Sequence, residues 1–293
     1  SPNATLGLQV VRVHLDPTAA GFGFQAAGQS RLGPFTAAGS ILLPRGPGAS
    51  IVVDRIDVAG TRAGGTLAIV TGGFDGRLAV AGGGVSGELL FRPVGTIQRI
   101  EAHLDARGAT MAGTTLRLGH LDLVTLLDPA GTTIDATASG QGLRRGGLSL
   151  ARFTGSARLR DGSGEIRAAL SGSRGRAFAI QTVATVAPDR YTITAKGTLD
   201  GRPLTLLTPA VVTRTDDGWR LAPTKLDFAS GQAQVGGRFA SGATDLDASL
   251  TRMPLTLLDI AYPGLGLGGS ASGKIAYATR AGAAPTGRVD LTV

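Results

Sequence analysis

The residues best equipped for chemistry are few. The chain has three histidines and no cysteine in 293 residues, which removes thiol nucleophiles, disulfides and cysteine-ligated zinc. Glu101, His103 and Asp105 occupy alternate positions. On a strand such residues share one face, a geometry able to hold a metal. Arg99 and Arg107 flank them at the same spacing, so the row reads instead as a solvated line of ion pairs. His14 and His120 show no carboxylate or histidine at a ligand spacing. There is no G-x-S-x-G elbow, and scattered histidines offer little for a general base. Catalysis would need carboxylates that only the fold brings together. Gly264-Leu265-Gly266-Leu267-Gly268-Gly269 satisfies G-x-G-x-x-G in form. It follows a helix-like segment and precedes a strand-like one, the reverse of a dinucleotide site. These residues predict no enzyme, no metal and no cofactor.

The formal charge is +8, and the basic residues are Arg except for Lys196, Lys225 and Lys274. They are spread without a block, as on a solvated basic face. Phe22 and Phe24 have no flanking Arg before Arg31, so a stacking platform for nucleic acid is not expected. No basic-then-apolar leader opens the chain, and Arg288 to Val293 alternate like a strand still in progress. The chain is therefore expected to be an excerpt of a longer protein. Its longest charge-free runs, such as Ile260 to Gly273, are Gly-rich and short of the roughly 18 residues that span a bilayer.

The elements that must position these residues are strands. Between Gln98 and Arg107, Ile100, Ala102, Leu104 and Ala106 fall on one face and charged residues on the other, the period-two pattern of a half-buried strand. Asp75-Gly76, Asp161-Gly162, Asp200-Gly201, Asp217-Gly218 and Ser241-Gly242 read as hairpin turns, because Gly accepts the positive φ of a tight turn. The expected class is all-β, a long curled antiparallel sheet with one or two short helices. The helix candidates are His120 to Asp128 and Pro254 to Ala261. Thr-Leu-Leu recurs at residues 125, 205 and 256, the last two within an identical Pro-Leu-Thr-Leu-Leu. The spacings drift, which excludes a fixed-period solenoid.

A sheet with one apolar face must bury it against something. A sandwich, a closed barrel and an open trough curled along its length compete. Aromatics are only 4% and Gly numbers 46, which suits tight curvature better than a thick filled core. An uncovered apolar trough marks a binding surface and matches acyl chains. The inward candidates are Leu78, Val80, Leu89, Phe91, Leu159, Ile166, Leu170, Phe178 and Ile180. They continue with Ile193, Leu199, Phe239, Leu246, Leu250, Ile275, Tyr277, Val289 and Leu291.

One ordered set of segments carries a resemblance. Gly197 to Leu206 (GTLDGRPLTL) is followed by Trp219 to Pro223 (WRLAP), Gly231 to Gly237 (GQAQVGG) and Met253 to Leu258 (MPLTLL). Tyr262 to Gly273 (YPGLGLGGSASG) and Ala284 to Gly287 (APTG) complete it. This order resembles the TamB family, the translocation and assembly module subunit related to AsmA-like proteins. The likeness is clearest over residues 140–293 and compositional before that. It implies a β-taco, one elongated groove segment over 1–293, in a periplasmic protein anchored in the inner membrane. The implied role is to conduct phospholipid between inner and outer membranes, or to support outer-membrane protein assembly with a barrel partner of the BamA type through regions outside this chain. The competing expectation is a structural or adhesive surface module like an autotransporter passenger.

Overall fold

The computed structural model describes residues 9–30, 33–46, 48–257, 264 and 266–293. These form two units, Ser1–Gly146 and Gly147–Val293, each a curled antiparallel meander. The first contains β1 (Gln9–Thr18), β2 (Gly21–Ser30), β3 (Gly33–Leu42), β4 (Ser50–Val58), β5 (Thr61–Val70), β6 (Gly73–Gly82), β7 (Val85–Val94), β8 (Ile97–Met111), β9 (Thr114–Asp128) and β10 (Gly131–Arg145). The second contains β11 (Leu148–Arg160), β12 (Ser163–Arg174), β13 (Arg176–Ala187), β14 (Arg190–Leu199), β15 (Arg202–Leu206), β16 (Ala210–Thr215), β17 (Gly218–Phe228), β18 (Gly231–Ala240), β19 (Ala243–Pro254), β20 (Ser270–Arg280) and β21 (Thr286–Thr292).

Within each unit successive strands pair in order. The exception is β15 and β16, which lie end to end between β14 and β17 as one broken strand. Pro209 sits in the break, where its missing N–H breaks no ladder bond. The Thr208 hydroxyl accepts the Lys225 backbone N–H at 2.8 Å there. Asp161-Gly162 and Asp200-Gly201 have positive φ at both residues, the geometry of a type I′ hairpin turn.

The core is lateral. Val53, Leu67 and Leu78 form one cluster with Ile51, Ile56, Ala63, Leu89 and Phe91, all from β4 to β7. Leu199, Phe228, Ala233 and Met253 form a second, packed by Phe178, Leu204, Leu226, Val235, Leu250 and Leu257. Side chains touch those of the next strands along the ladder, all on the apolar face. Gly87 (φ +146°) lies opposite Leu104, and Gly273 (φ +142°) opposite Leu250 and Leu291. A Cβ at either would overlap a backbone carbonyl of the neighbouring strand. Glycine thus lets neighbouring strands approach closely on this face while the facing leucine fills the space.

Three expectations fail. His120 to Asp128 is not a helix but part of β9, because β8 and β10 pair with it on both sides and its apolar residues occupy both faces. Asp75-Gly76 is not a turn. It lies within β6, opposite Ala68 and Leu67, because the preceding turn falls at Thr71-Gly72, where Gly72 takes the positive φ. The Asp217-Gly218 turn sits one residue earlier, Gly218 being the first residue of β17. The second helix candidate is a single 3-10 turn, Leu255–Leu257. Residues 258–261, the end of that candidate, and residue 265, within the Gly264–Gly269 stretch, lie outside the described residues, as do residues 262 and 263 and Arg31. The two copies of Pro-Leu-Thr-Leu-Leu differ in backbone, strand β15 against the 3-10 turn. Even so, Leu204 and Leu257 pack on the same cluster.

Replacing Gly87 with Val should lower stability by about 3 kcal/mol, since strained φ and lost close approach add, whereas Ser86→Val on the other face should cost under about 0.5 kcal/mol. Urea unfolding of the two variants side by side measures the difference.

Candidate functional site

Ladder register fixes which side chains share a face, since directly opposed residues lie on the same side. In the first unit Leu78 opposes Leu89, Val80 opposes Gly87, and Phe91 opposes Ile100. In the second, Phe153 opposes Leu170, Leu170 opposes Ile180, Ile166 opposes Ala184, and Ala184 opposes Ile193. Phe178 opposes Leu199, Leu159 opposes Gly164, Gly237 opposes Leu246, and Ala233 opposes Leu250. Leu246 opposes Tyr277, Ala248 opposes Ile275, and Val289 and Leu291 continue the row from β21. Within each unit the inward candidates therefore lie on one apolar face, with Lys196, Thr194, Arg238, Asp245, Asp247, Lys274 and Asp290 on the other.

Depth differs along that face. Leu78, Val80 and Leu199 are buried by their own neighbours, so they form packing beneath a surface rather than the surface itself. The curl presses them against the side chains of adjacent strands. Ile166, Phe239 (39% exposed), Tyr277 (40%) and Val289 stay open. In β14 to β21 the two rims are unlike. One holds the packed cluster, where Phe228 is 1% exposed. The other holds Tyr191, Trp219, Phe239 and Tyr277. The Tyr191 and Trp219 rings meet with centroids 5.2 Å apart at a tilt of 47°.

Two hollows of the second unit open on its polar face. One, of about 780 Å³, is lined by Arg220, Arg238, Asp245, Asp247, Lys274, Arg288 and Asp290. The other, of about 630 Å³, is lined by Arg152, Thr154, Gln181, Lys196 and Thr205. In the first, opposite charges face each other across strands, Arg238 with Asp245 and Lys274 with Asp290. Arg280 also reaches Asp245 at 2.8 Å. Arg238 bonds Asp217 and holds that carboxyl below its ordinary value. Such exposed pairs neutralise one another and contribute little to stability.

His103 sits in the ion-pair row read from the sequence, whereas His14 and His120 are the residues sequence reasoning missed. Arg99 Nε donates to Glu101 Oε1 at 2.7 Å, and Glu101 Oε2 lies 3.6 Å from His103 Nε2. His103 Nδ1 lies 2.7 Å from Asp122 Oδ1, Asp122 Oδ2 lies 2.8 Å from His120 Nε2, and His120 Nδ1 lies 2.8 Å from Asp105 Oδ1. The expectation that His120 and His14 lack nearby carboxylates is wrong. Asp122 is two residues beyond His120, and Asp16, two beyond His14, meets it at 2.9 Å. Residues i and i+2 of a strand share a face, so the signal was in the sequence; Asp105 came from the neighbouring strand. Ring nitrogens of His103 and His120 are engaged by carboxylates. Among the described residues no three His, Asp or Glu side chains gather as a metal site.

Asp122 holds the His103 imidazole above its ordinary value of 6.5, and Asp105 and Asp122 do the same for His120. A raised folded pKa gives stability that is complete below the unfolded value and lost as pH rises through the folded one. Asp122, lowered by both histidines, contributes above its unfolded value and loses that contribution in acid. Melting temperature should therefore fall as pH rises from about 6 to about 9, and His103→Gln with His120→Gln should flatten that slope. An unchanged slope in the double variant would show that the row does not stabilise the fold.

Comparison with protein-family models, with curated proteins and with solved structures finds no match to this chain.

Proposed function

We propose that the chain is a non-catalytic stretch of lipid conduit, of the kind the TamB resemblance implies. Its apolar face solvates phospholipid acyl chains on their way between the inner and outer membranes of a bacterial envelope. The setting proposed is the periplasm, with an inner-membrane anchor and a barrel partner of the BamA type engaged through other parts of the protein. Support of outer-membrane protein assembly is the companion role that the same resemblance brings.

The observation that carries this reading is the set of open apolar side chains, Ile166 on β12, Phe239 on β18, Tyr277 on β20 and Val289 on β21, on a face with almost no charge. An apolar surface left open is unfavourable in water and is relieved by an apolar ligand. Each acyl CH₂ taken from water contributes about 0.8 kcal/mol, and no single contact need dominate.

A second reading, a structural or adhesive sheet module, draws on a different observation. Leu78, Val80 and Leu199 are covered by the chain's own side chains, and the two hollows above open on the polar face. It predicts no bound lipid.

Native mass spectrometry of the purified protein separates the two, phospholipid adducts being expected for the conduit. In a transfer assay between vesicles, Ile193→Arg on the apolar face should abolish passage and Thr194→Arg on the opposite face should leave it intact. Equal effects of the two substitutions would sink the groove.

A further inference from the structure

The geometry points to a headgroup station on this face: Arg214, beside Trp219 and Tyr191, receives the phosphate of an anionic phospholipid whose chains lie on the apolar side of β14 to β21. This rests on the conduit reading above and adds to it the level at which the polar end of the ligand stops.

Arg214 opposes Trp219 in the ladder, and Tyr191 and Leu221 both oppose Val212, so Arg214 shares the apolar face with the ring pair. Of the residues in ladder register, Arg202 and Arg214 are the ionised ones on that face of β14 to β21. Arg202 opposes Leu199 at the rim already filled by the packed cluster. Arg214 lies at the other rim, is exposed, and its guanidinium has no ion pair among the described residues. Its backbone is fixed, since the Arg214 N–H donates to the Asp189 carbonyl at 2.8 Å. No buried side-chain nitrogen or oxygen lacks a partner among the described residues. The indole N–H of Trp219, which bonds no protein group, therefore reaches the surface.

A guanidinium with open donors beside amphipathic rings, at the border of an apolar face, matches one ligand chemistry. The phosphate takes the paired N–H donors, the indole N–H reaches an ester oxygen, and the rings lie where hydrocarbon gives way to water. Phe239 and Tyr277 extend the same border along β18 and β20. Charge complementarity thus selects an anionic phospholipid over a neutral apolar molecule.

Trp219 is the only tryptophan of the chain and reports the position directly. The protein is titrated with vesicles of phosphatidylglycerol brominated either close to the ester or near the methyl end, and with dispersed diacylglycerol brominated close to the ester. Near-ester bromine should quench Trp219 more than methyl-end bromine. Arg214→Gln should weaken phosphatidylglycerol binding by about tenfold, as loss of a hydrogen bond to a charged group does, and leave diacylglycerol binding unchanged. Arg214→Lys should retain most of the affinity, and Arg220→Gln, on the polar face, should retain all of it. Circular dichroism checks each variant's fold, and the comparison of the two lipids on the native protein decides the matter even if Arg214→Gln does not fold. Stronger quenching by methyl-end bromine, or equal binding of the two lipids by the native chain, overturns the headgroup station and leaves the conduit standing. Absence of quenching by every lipid, together with no phospholipid in native mass spectra, overturns the conduit itself.

Discussion

An apolar sheet face without a covering layer is the constraint on which the rest of each unit depends. The protein meets it by curling. Leucine, valine and isoleucine side chains then pack against those of the next strands on the apolar face, and glycine removes the Cβ where the backbones crowd. Gly opposite Leu, as at Gly87 and Leu104, is the local unit of this solution. It explains how a chain with so few aromatics buries a core at all. It also leaves the remainder of the face half-exposed, which is the property that the proposed function uses.

Charge follows from the same geometry. The polar face is in water, so ionised residues collect there with opposite charges in register across strands, Arg238 with Asp245 and Lys274 with Asp290, and with ion pairs such as Arg238–Asp217 and Arg280–Asp245. The histidine row on β8 and β9 is the same arrangement with titratable members. A chain of net charge +8 therefore presents rows of nearly balanced charge in places, and the exceptions stand out. Arg214 is one, a cation without an ion pair among the described residues, on the side where Arg202 is the other charge in register.

Faces were legible in the sequence because strand alternation is a local property. Every inward residue from Leu78 to Leu291 falls on the apolar side within its unit, since period two survives wherever no bulge intervenes. Depth was not legible. Whether Leu199 is covered or Phe239 is open depends on curl and on residues several strands away in the chain. Turn chemistry was readable at Asp161-Gly162 and Asp200-Gly201 but misled at Asp75-Gly76, because the bend falls at Thr71-Gly72 instead. The apolar run at His120 to Asp128 suggested a helix because its period is hidden when both faces carry leucine. Identical Pro-Leu-Thr-Leu-Leu segments adopting different backbones make the same point: tertiary pairing outweighs local preference. Arg214 escaped notice because its face is set by register with Trp219, not by its own neighbours in sequence.

The lateral core has one more consequence. When each strand leans chiefly on the two beside it, free energy accumulates link by link, as in stacked-repeat proteins. Adding or deleting one hairpin then changes length without inverting which side is greasy, whereas adding a single strand reverses the direction of everything after it. Length in such a sheet is therefore set in steps of two strands, and the side that carries the apolar residues stays the same at every step.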